Sequence, residues 1–592
     1  MRKWTVIFLL FLLYPAFEAG AQWSGSVSLL GGYGQDPGIA KDTRLHHGLG
    51  QGSVQLEYKK TGFRWNTTLG YSYQTLATEI LRLTASEAPD DPQGYRLDVD
   101  LKHKKDTPWS LDLRTDATWT PSKKVVRRAW AQYGYRGETG SNLTGKLVGV
   151  DTYESSGLYY DYPISRQHRV EAGYETVHHL GSPHRIFGAN VTLSQQFKNQ
   201  NTEWIVLEES ADAQESIRVY RITPQSAQTG LRSAIHWRDS VLTSGPVRLV
   251  VDHGIRLGGG FTDDRNSGAT LESLDSDVWR DSTRLRENFK FLTLTAEPYA
   301  TANLKWGDIT AHAGYGVEIY ARYLSSDVHS NGAMQFERLS LIGNAGAVWK
   351  ISEKHTLTLG TSSAVKHPDY LQVCWYDRQG AYVGQVYRGS TSLTPTRTHT
   401  FNLGYAFKYK GFQAALTATV TRRLGDIEQT YFTEVNEEGK EQQVFTWLNA
   451  SDSWALGLSP KLGWSGRYVK VSAGTTYNRS ALTSRTSGEV KRNSDWSLWG
   501  NVSVMPGKGW SLDADVRYRS SVSTFFSSFG EYWTLNVKVQ KAFKRLVVYL
   551  EGRDLLDKPV DREYRSADET QTWTERSHLN RNVFLLGVSW KF

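Results

Sequence analysis

The chain has 592 residues with only 39% hydrophobic content and a mean hydropathy of −0.49, yet 12% are aromatic, including 21 Trp and 31 Tyr. Its single cysteine, Cys374, excludes an intramolecular disulfide and a multi-cysteine metal site, and a formal charge of +8 spread along the chain gives no nucleic-acid footprint. Abundant Trp and Tyr in a polar chain suit strands that alternate lipid-facing with lumen-facing residues, whose rings sit where hydrocarbon meets water.

Met1 to Ala21 has the form of a signal peptide: Arg2 and Lys3, the apolar run Trp4 to Tyr14, then Ala19-Gly20-Ala21 before Gln22. No later stretch offers the ~18 continuous apolar residues of a spanning helix, so membrane crossing after export falls to strands. Residues 22–592 are expected to form one domain. A barrel strand needs ~9 to 11 residues with every second one apolar. Val54, Leu56 and Tyr58, a Lys60-Thr61-Gly62 turn, then Phe63, Trp65, Thr67, Leu69 and Tyr71 fit that design. Tyr95, Leu97, Val99 and Leu101 follow, then a turn is expected around Asp106-Thr107-Pro108, then Trp109, Leu111 and Leu113. Glu208 to Ser216 and Thr262 to Glu287 are polar and acidic and read as long extracellular loops.

Near the C-terminus, Trp496, Leu498, Gly500, Val502 and Val504 lead into the turn Pro506-Gly507-Lys508-Gly509. Trp510, Leu512, Ala514, Val516 and Tyr518 then alternate with Ser511, Asp513, Asp515, Arg517 and Arg519, and Trp533, Leu535, Val537 and Val539 repeat the period. Charges at every second position cannot face lipid. Asp513, Asp515, Arg517 and Arg519, with Asp98, Asp100, Asp112 and Arg114, are therefore the candidate lumen-facing charges, whose plainer role is cross-strand pairing. Phe584, Leu586, Val588, Trp590 and Phe592 share one face of the last segment and end the chain on an aromatic. The expected fold is an all-β transmembrane antiparallel barrel of about 22 strands, an even number, with short periplasmic turns and long extracellular loops.

Several stretches resemble the barrel of TonB-dependent receptors, specifically the outer membrane β-barrel family common in Bacteroidota. They are Gly157 to Ser165 with Val170 to Tyr174, the Glu297-Pro298 strand, Lys366-His367-Pro368-Asp369-Tyr370-Leu371, the Gly389 to Pro395 turn, Asn402-Leu403-Gly404-Tyr405, and Gly552-Arg553-Asp554-Leu555-Leu556. The resemblance covers about residues 156–592 and implies the outer membrane, uptake or binding of a solute, and a terminal signature read by the outer-membrane assembly machinery. Such receptors carry a plug before the barrel. Here strand-like sequence begins at about Trp23 with no plug-like segment, so loops of the barrel, a separate plug or a lipoprotein partner are the expected substitutes.

His46-His47 and His178-His179 are adjacent, and neighbours on a strand point to opposite faces, which favours loop or rim histidines over a metal pair. Asp263-Asp264, Asp275, Asp277 and Asp281 lack the Gly and terminal Glu of a calcium loop. No Gly-x-Ser-x-Gly elbow or His-Glu-x-x-His is present, so neither catalysis nor a cofactor is expected. Besides solute uptake, two alternatives stand: an accessory barrel that scaffolds partner proteins, and a membrane-embedded hydrolase.

Overall fold

The computed structural model describes residues 22–37, 44–87, 95–150, 152–181, 185–210, 216–271, 279–281, 287–326, 333–373, 378–379, 385–435, 441–556, 558–565, 571–578 and 582–592, some of them by backbone alone. Among the described residues, twenty-two of 29 strands form one closed antiparallel ring. Closure is made by the two ends of the chain. Strand Gln22–Pro37 pairs with Val583–Lys591 from Ser26↔Lys591 to Tyr33↔Phe584, and Gly25 and Phe592 exchange backbone hydrogen bonds of 3.2 and 3.1 Å. A closed ring leaves no strand edge unpaired in hydrocarbon, which is the condition for crossing a bilayer with strands. The expected count of 22 is the observed one.

The period of two sets the two faces of the wall. In strand Glu441–Ser465, Trp454, Leu456, Leu458, Leu462 and Trp464 all stand exposed on one face. Ten rises of ~3.4 Å tilted by ~45° carry the chain about 24 Å along the barrel axis, the height of the apolar band, so the two Trp rings bracket one crossing. Pro460 sits inside that span. It has no N–H to give, and pairing with strand Val469–Ser484 skips from Leu458↔Tyr477 to Lys461↔Gly474, while Ser459 and Thr476 join hydroxyls at 3.0 Å across the gap.

The ends of the barrel differ. On the side of Gln22 and Phe592, strands join through tight turns such as Thr61-Gly62, Lys410-Gly411 and Lys508-Gly509. At the last two, both central residues have positive φ (44° and 84°; 52° and 78°), the mirror-image turn whose twist matches a hairpin. The opposite end carries the long connections, the extracellular arrangement for such barrels. Seven short strands belong to that end, and the buried apolar cluster lies there too, formed by Phe289, Phe291, Leu324, Val373 and Leu393.

Two expectations are corrected. No turn forms at Asp106-Thr107-Pro108: strand Tyr95–Ser122 runs straight through it. Its neighbours Phe63–Glu87 and Val125–Val150 are equally tall and hold it from both sides, with Leu76↔Asp106 on one and Asp106↔Gly140 and Pro108↔Glu138 on the other. Likewise Thr262 to Leu271 is strand, continuing Val247–Leu271 above the bilayer against Ser216–Ser244, and Glu208 to Ser210 ends strand Ile186–Ser210. Polar composition there reflects strands that stand in water rather than loops. Residues 1–21 with the expected signal peptide, residues 211–215, 272–278 and 282–286 of the two expected loops, and Cys374 lie outside the described residues.

Candidate functional site

Strand Trp510–Arg519 shows how the wall divides its chemistry. Trp510 and Leu512 are exposed on the outward face, so Asp513, Asp515, Arg517 and Arg519 project from the other. There the Arg517 Nε lies 3.1 Å from Asp515 Oδ1, Asn536 donates to the same carboxylate at 3.4 Å, and Ser511 and Ser503 both donate to Asp513. Asp112 and Arg114 occupy the same kind of position on Tyr95–Ser122, opposite to the face shared by Leu111 and Leu113 with Tyr71 and Leu69. The two groups sit on separate sectors of the wall, with the terminal strands between them. Asp98 and Asp100 lie in the upper part of Tyr95–Ser122, paired with Thr84 and Arg82, and their side chains are outside the described residues. Phe584, Leu586, Trp590 and Phe592 are exposed on the outward side of the closing strand.

Sequence patterns did not point to a further inner-wall cluster. Arg238 holds the mostly buried Asp252 through Nε and Nη2, at 3.1 and 2.9 Å, and the Tyr299 hydroxyl reaches the other Asp252 oxygen at 3.5 Å. Arg256 bonds Glu297 and covers the Tyr299 ring at 4.0 Å. Three adjacent strands thus contribute to one network, and only the register brings its members together.

At the long-connection end, the described residues of 366–373 and 385–396 fold onto the wall. Asp369 and Gln372 cap the short helix Tyr370–Val373 reciprocally, at 2.9 and 3.0 Å, which seats Val373 against Phe289, Phe291 and Leu324. Arg322, only 2% exposed, donates to the carbonyls of Leu393 and Thr391 at 3.3 and 3.4 Å. His367 bonds Glu318 and stacks on Tyr320 at 3.6 Å. The Gly389 to Pro395 turn is held by Asn449, which accepts from the Thr394 N–H at 2.8 Å and donates to the Thr394 and Gly425 carbonyls at 2.9 and 2.8 Å.

A second set of contacts reaches across the mouth. Strands Ser527–Phe529, Pro559–Arg565 and Gln571–His578 pair in series and join Leu81 to Ser86 of strand Phe63–Glu87. Opposite them, strand Phe412–Val435 shifts register around Gly425 (φ 69°), beyond its bilayer crossing from Phe412 to Arg422. Above that shift, Glu428 accepts from the Phe526 N–H at 3.4 Å and from Ser451 at 3.3 Å, and Thr430 donates to the Arg565 carbonyl at 3.4 Å. Burial pushes the Glu428 carboxyl above the usual range. Within the hairpin, Arg576 grips Asp561 at 2.6 and 2.8 Å and holds that carboxyl below its ordinary value. Among the described residues, none forms a domain inside the lumen.

The fold has close counterparts among solved structures. The unliganded ferric citrate transporter FecA matches with a TM-score of 0.59 at 12% identity, over 97% of this chain and 79% of that one. The siderophore receptor PiuA from Acinetobacter baumannii gives 0.57 at 13% identity, over 97% and 82%. The siderophore receptor PirA from Pseudomonas aeruginosa gives 0.53 at 13%, over 96% and 80%. At such identities the likeness shows the fold alone; no curated protein sequence matches the chain. The family model described as the outer membrane protein beta-barrel family matches residues 255–590, more than half the chain, and agrees with a closed ring banded by aromatics. This protein is an outer-membrane β-barrel, and the chain belongs to the outer membrane protein beta-barrel family.

Proposed function

We propose that this barrel binds a solute at its extracellular mouth and passes it toward the periplasm. The observation that supports this reading is the mouth itself: a polar-walled ring whose own loops meet across it, Phe526 to Glu428 and Arg565 to Thr430, above inner-wall charges. Asp98, Asp100, Asp112, Arg114, Asp513, Asp515, Arg517 and Arg519 would then select the solute as it passes. Residues 1–21 act as the export signal in this reading, and 22–592 as one barrel domain whose lumen a second polypeptide fills from the periplasmic side.

Single-channel recording of the purified barrel in planar bilayers tests the reading. Expected are openings that a bound solute blocks, with ion selectivity moved toward cations by Arg517→Glu and Arg519→Glu together. A barrel that stays sealed and binds no solute from a chemically broad panel overturns it.

A further inference from the structure

The outward face of the barrel meets lipid, where a charge is costly at mid-bilayer and tolerated near the headgroups. On strands Thr396–Tyr409, Phe412–Val435, Val469–Ser484 and Val490–Gly507, the outward positions are those in step with the exposed Phe401, Leu416, Tyr477 and Trp496. That parity also puts Arg397, Arg422, Arg479 and Arg492 outward, and all four are exposed. The Arg422 guanidinium carbon stands 5.0 Å from the centroid of the outward Trp454 ring, which fixes its side. The pairings His399↔Arg422, Arg422↔Trp454, Leu456↔Arg479 and Arg479↔Ser494 align these cations in one lateral band at the extracellular end of the apolar zone. Five neighbouring strands at ~4.8 Å steps make the band about 20 Å wide. None of the four has an ion-pair partner among the described residues, whereas Arg265, outward on another sector, is held by Asp263 at 2.7 Å.

Directly beneath the band the apolar wall is hollowed. Ala473 and Gly500 are small outward residues facing each other on adjacent strands, and with Leu462, Leu498, Val516 and Trp533 they line an almost wholly apolar groove of about 420 Å³. Between groove and band lie the paired rings Tyr477 and Trp496. Down the same two strands the order is therefore cation, amphipathic ring, apolar groove. It matches an outer-leaflet lipid read from phosphate through the glycerol or sugar level to acyl chain.

We propose that this sector of the outer wall is a binding site for a phosphorylated, multiply acylated lipid of the outer leaflet, with Arg422, Arg479 and Arg492 on its phosphates and an acyl chain in the groove. Charge-assisted bonds from guanidinium to phosphate supply the polar end, and burial of chain methylenes supplies the other. The site is on the face away from the lumen and does not depend on solute passage.

The test uses the folded full-length barrel in detergent micelles, with a bis-phosphorylated, hexa-acylated glucosamine disaccharide as probe and native mass spectrometry as readout. The wild type is expected to retain the phosphorylated probe over its dephosphorylated form. The variant Arg422→Gln/Arg479→Gln/Arg492→Gln is expected to bind on the order of a hundredfold more weakly, since each interfacial arginine contributes several-fold. Ala473→Leu with Gly500→Leu should weaken the acylated probe while leaving the phosphate preference. Equal binding of both probe forms by the wild type overturns the proposal without any variant. So does a triple variant, shown to be folded by heat-modifiable electrophoretic mobility, that keeps wild-type affinity. Equally tight binding of inorganic phosphate alone would overturn the lipid as occupant.

Discussion

Trp499 lies directly across from Gly474 on the neighbouring strand, so close that a Cβ on the glycine would stand 2.8 Å from the indole Nε1. Trp130 covers Gly173 in the same way. Bulky inner-wall rings are accommodated by removing the side chain opposite, a pairing that also pins register. Gly474→Val is expected to destabilise the barrel by roughly 1–3 kcal/mol through overpacking. Urea titration in lipid vesicles, followed by Trp fluorescence, should show the lower midpoint, with Gly474→Ala intermediate.

Asn449 makes three of the hydrogen bonds that fasten the Gly389 to Pro395 turn to the hairpin at Gly425. Asn449→Ala leaves those backbone groups to find other partners, a loss of about 1–3 kcal/mol that is local to the rim. Hydrogen exchange should rise in residues 389–395 and stay unchanged at the closing strands.

Glu428 and Asp561 predict opposite pH responses at the mouth. The Glu428 carboxyl is raised in the folded state, which therefore binds a proton more readily than the unfolded chain does. Its contribution strengthens as pH falls through the raised value and is lost as pH rises through it. Glu428→Gln should make the contact with Phe526 insensitive to pH over that interval, measured as protease accessibility of residues 519–532.

The Asp561 carboxyl is lowered by Arg576, so its contribution is present above the unfolded carboxylate value and lost as pH falls through the depressed one. Asp561→Asn should loosen the hairpin of Pro559–Arg565 and Gln571–His578 at neutral pH and abolish its acid sensitivity. Exchange rates of its amides across the acid range give the measurement.

Phe592 shares two backbone bonds with Gly25, and its ring lies against that glycine. Phe592→Ala is expected to lower the folded, heat-modifiable fraction in outer membranes several-fold, with Phe592→Tyr close to wild type. Quantitative gel mobility of membrane fractions separates assembly from expression.

Much of the wall was legible because the bilayer enforces a period of two. Strand Trp510–Arg519 and its alternating charges follow directly from it. The constraint ends where the wall leaves the membrane. Asp106-Thr107-Pro108 carries the composition of a turn, yet tall neighbours on both sides keep it extended. The rim was illegible for a different reason: Asn449 with Thr394 and Glu428 with Phe526 meet through loop packing, 55 and 98 residues apart. Neither pair carries a periodic signal.

The seam between Gln22–Pro37 and Val583–Lys591 has a consequence for biogenesis. The earliest residues of the wall must wait for the latest, so until the final strand arrives the growing sheet has two bare margins facing hydrocarbon. Each margin left in hydrocarbon displays a row of unbonded amides and carbonyls, at a cost of several kcal/mol per group. The pairing of Ser26–Tyr33 with Phe584–Lys591 satisfies both margins in a single step, which makes this seam the contact whose formation completes the wall.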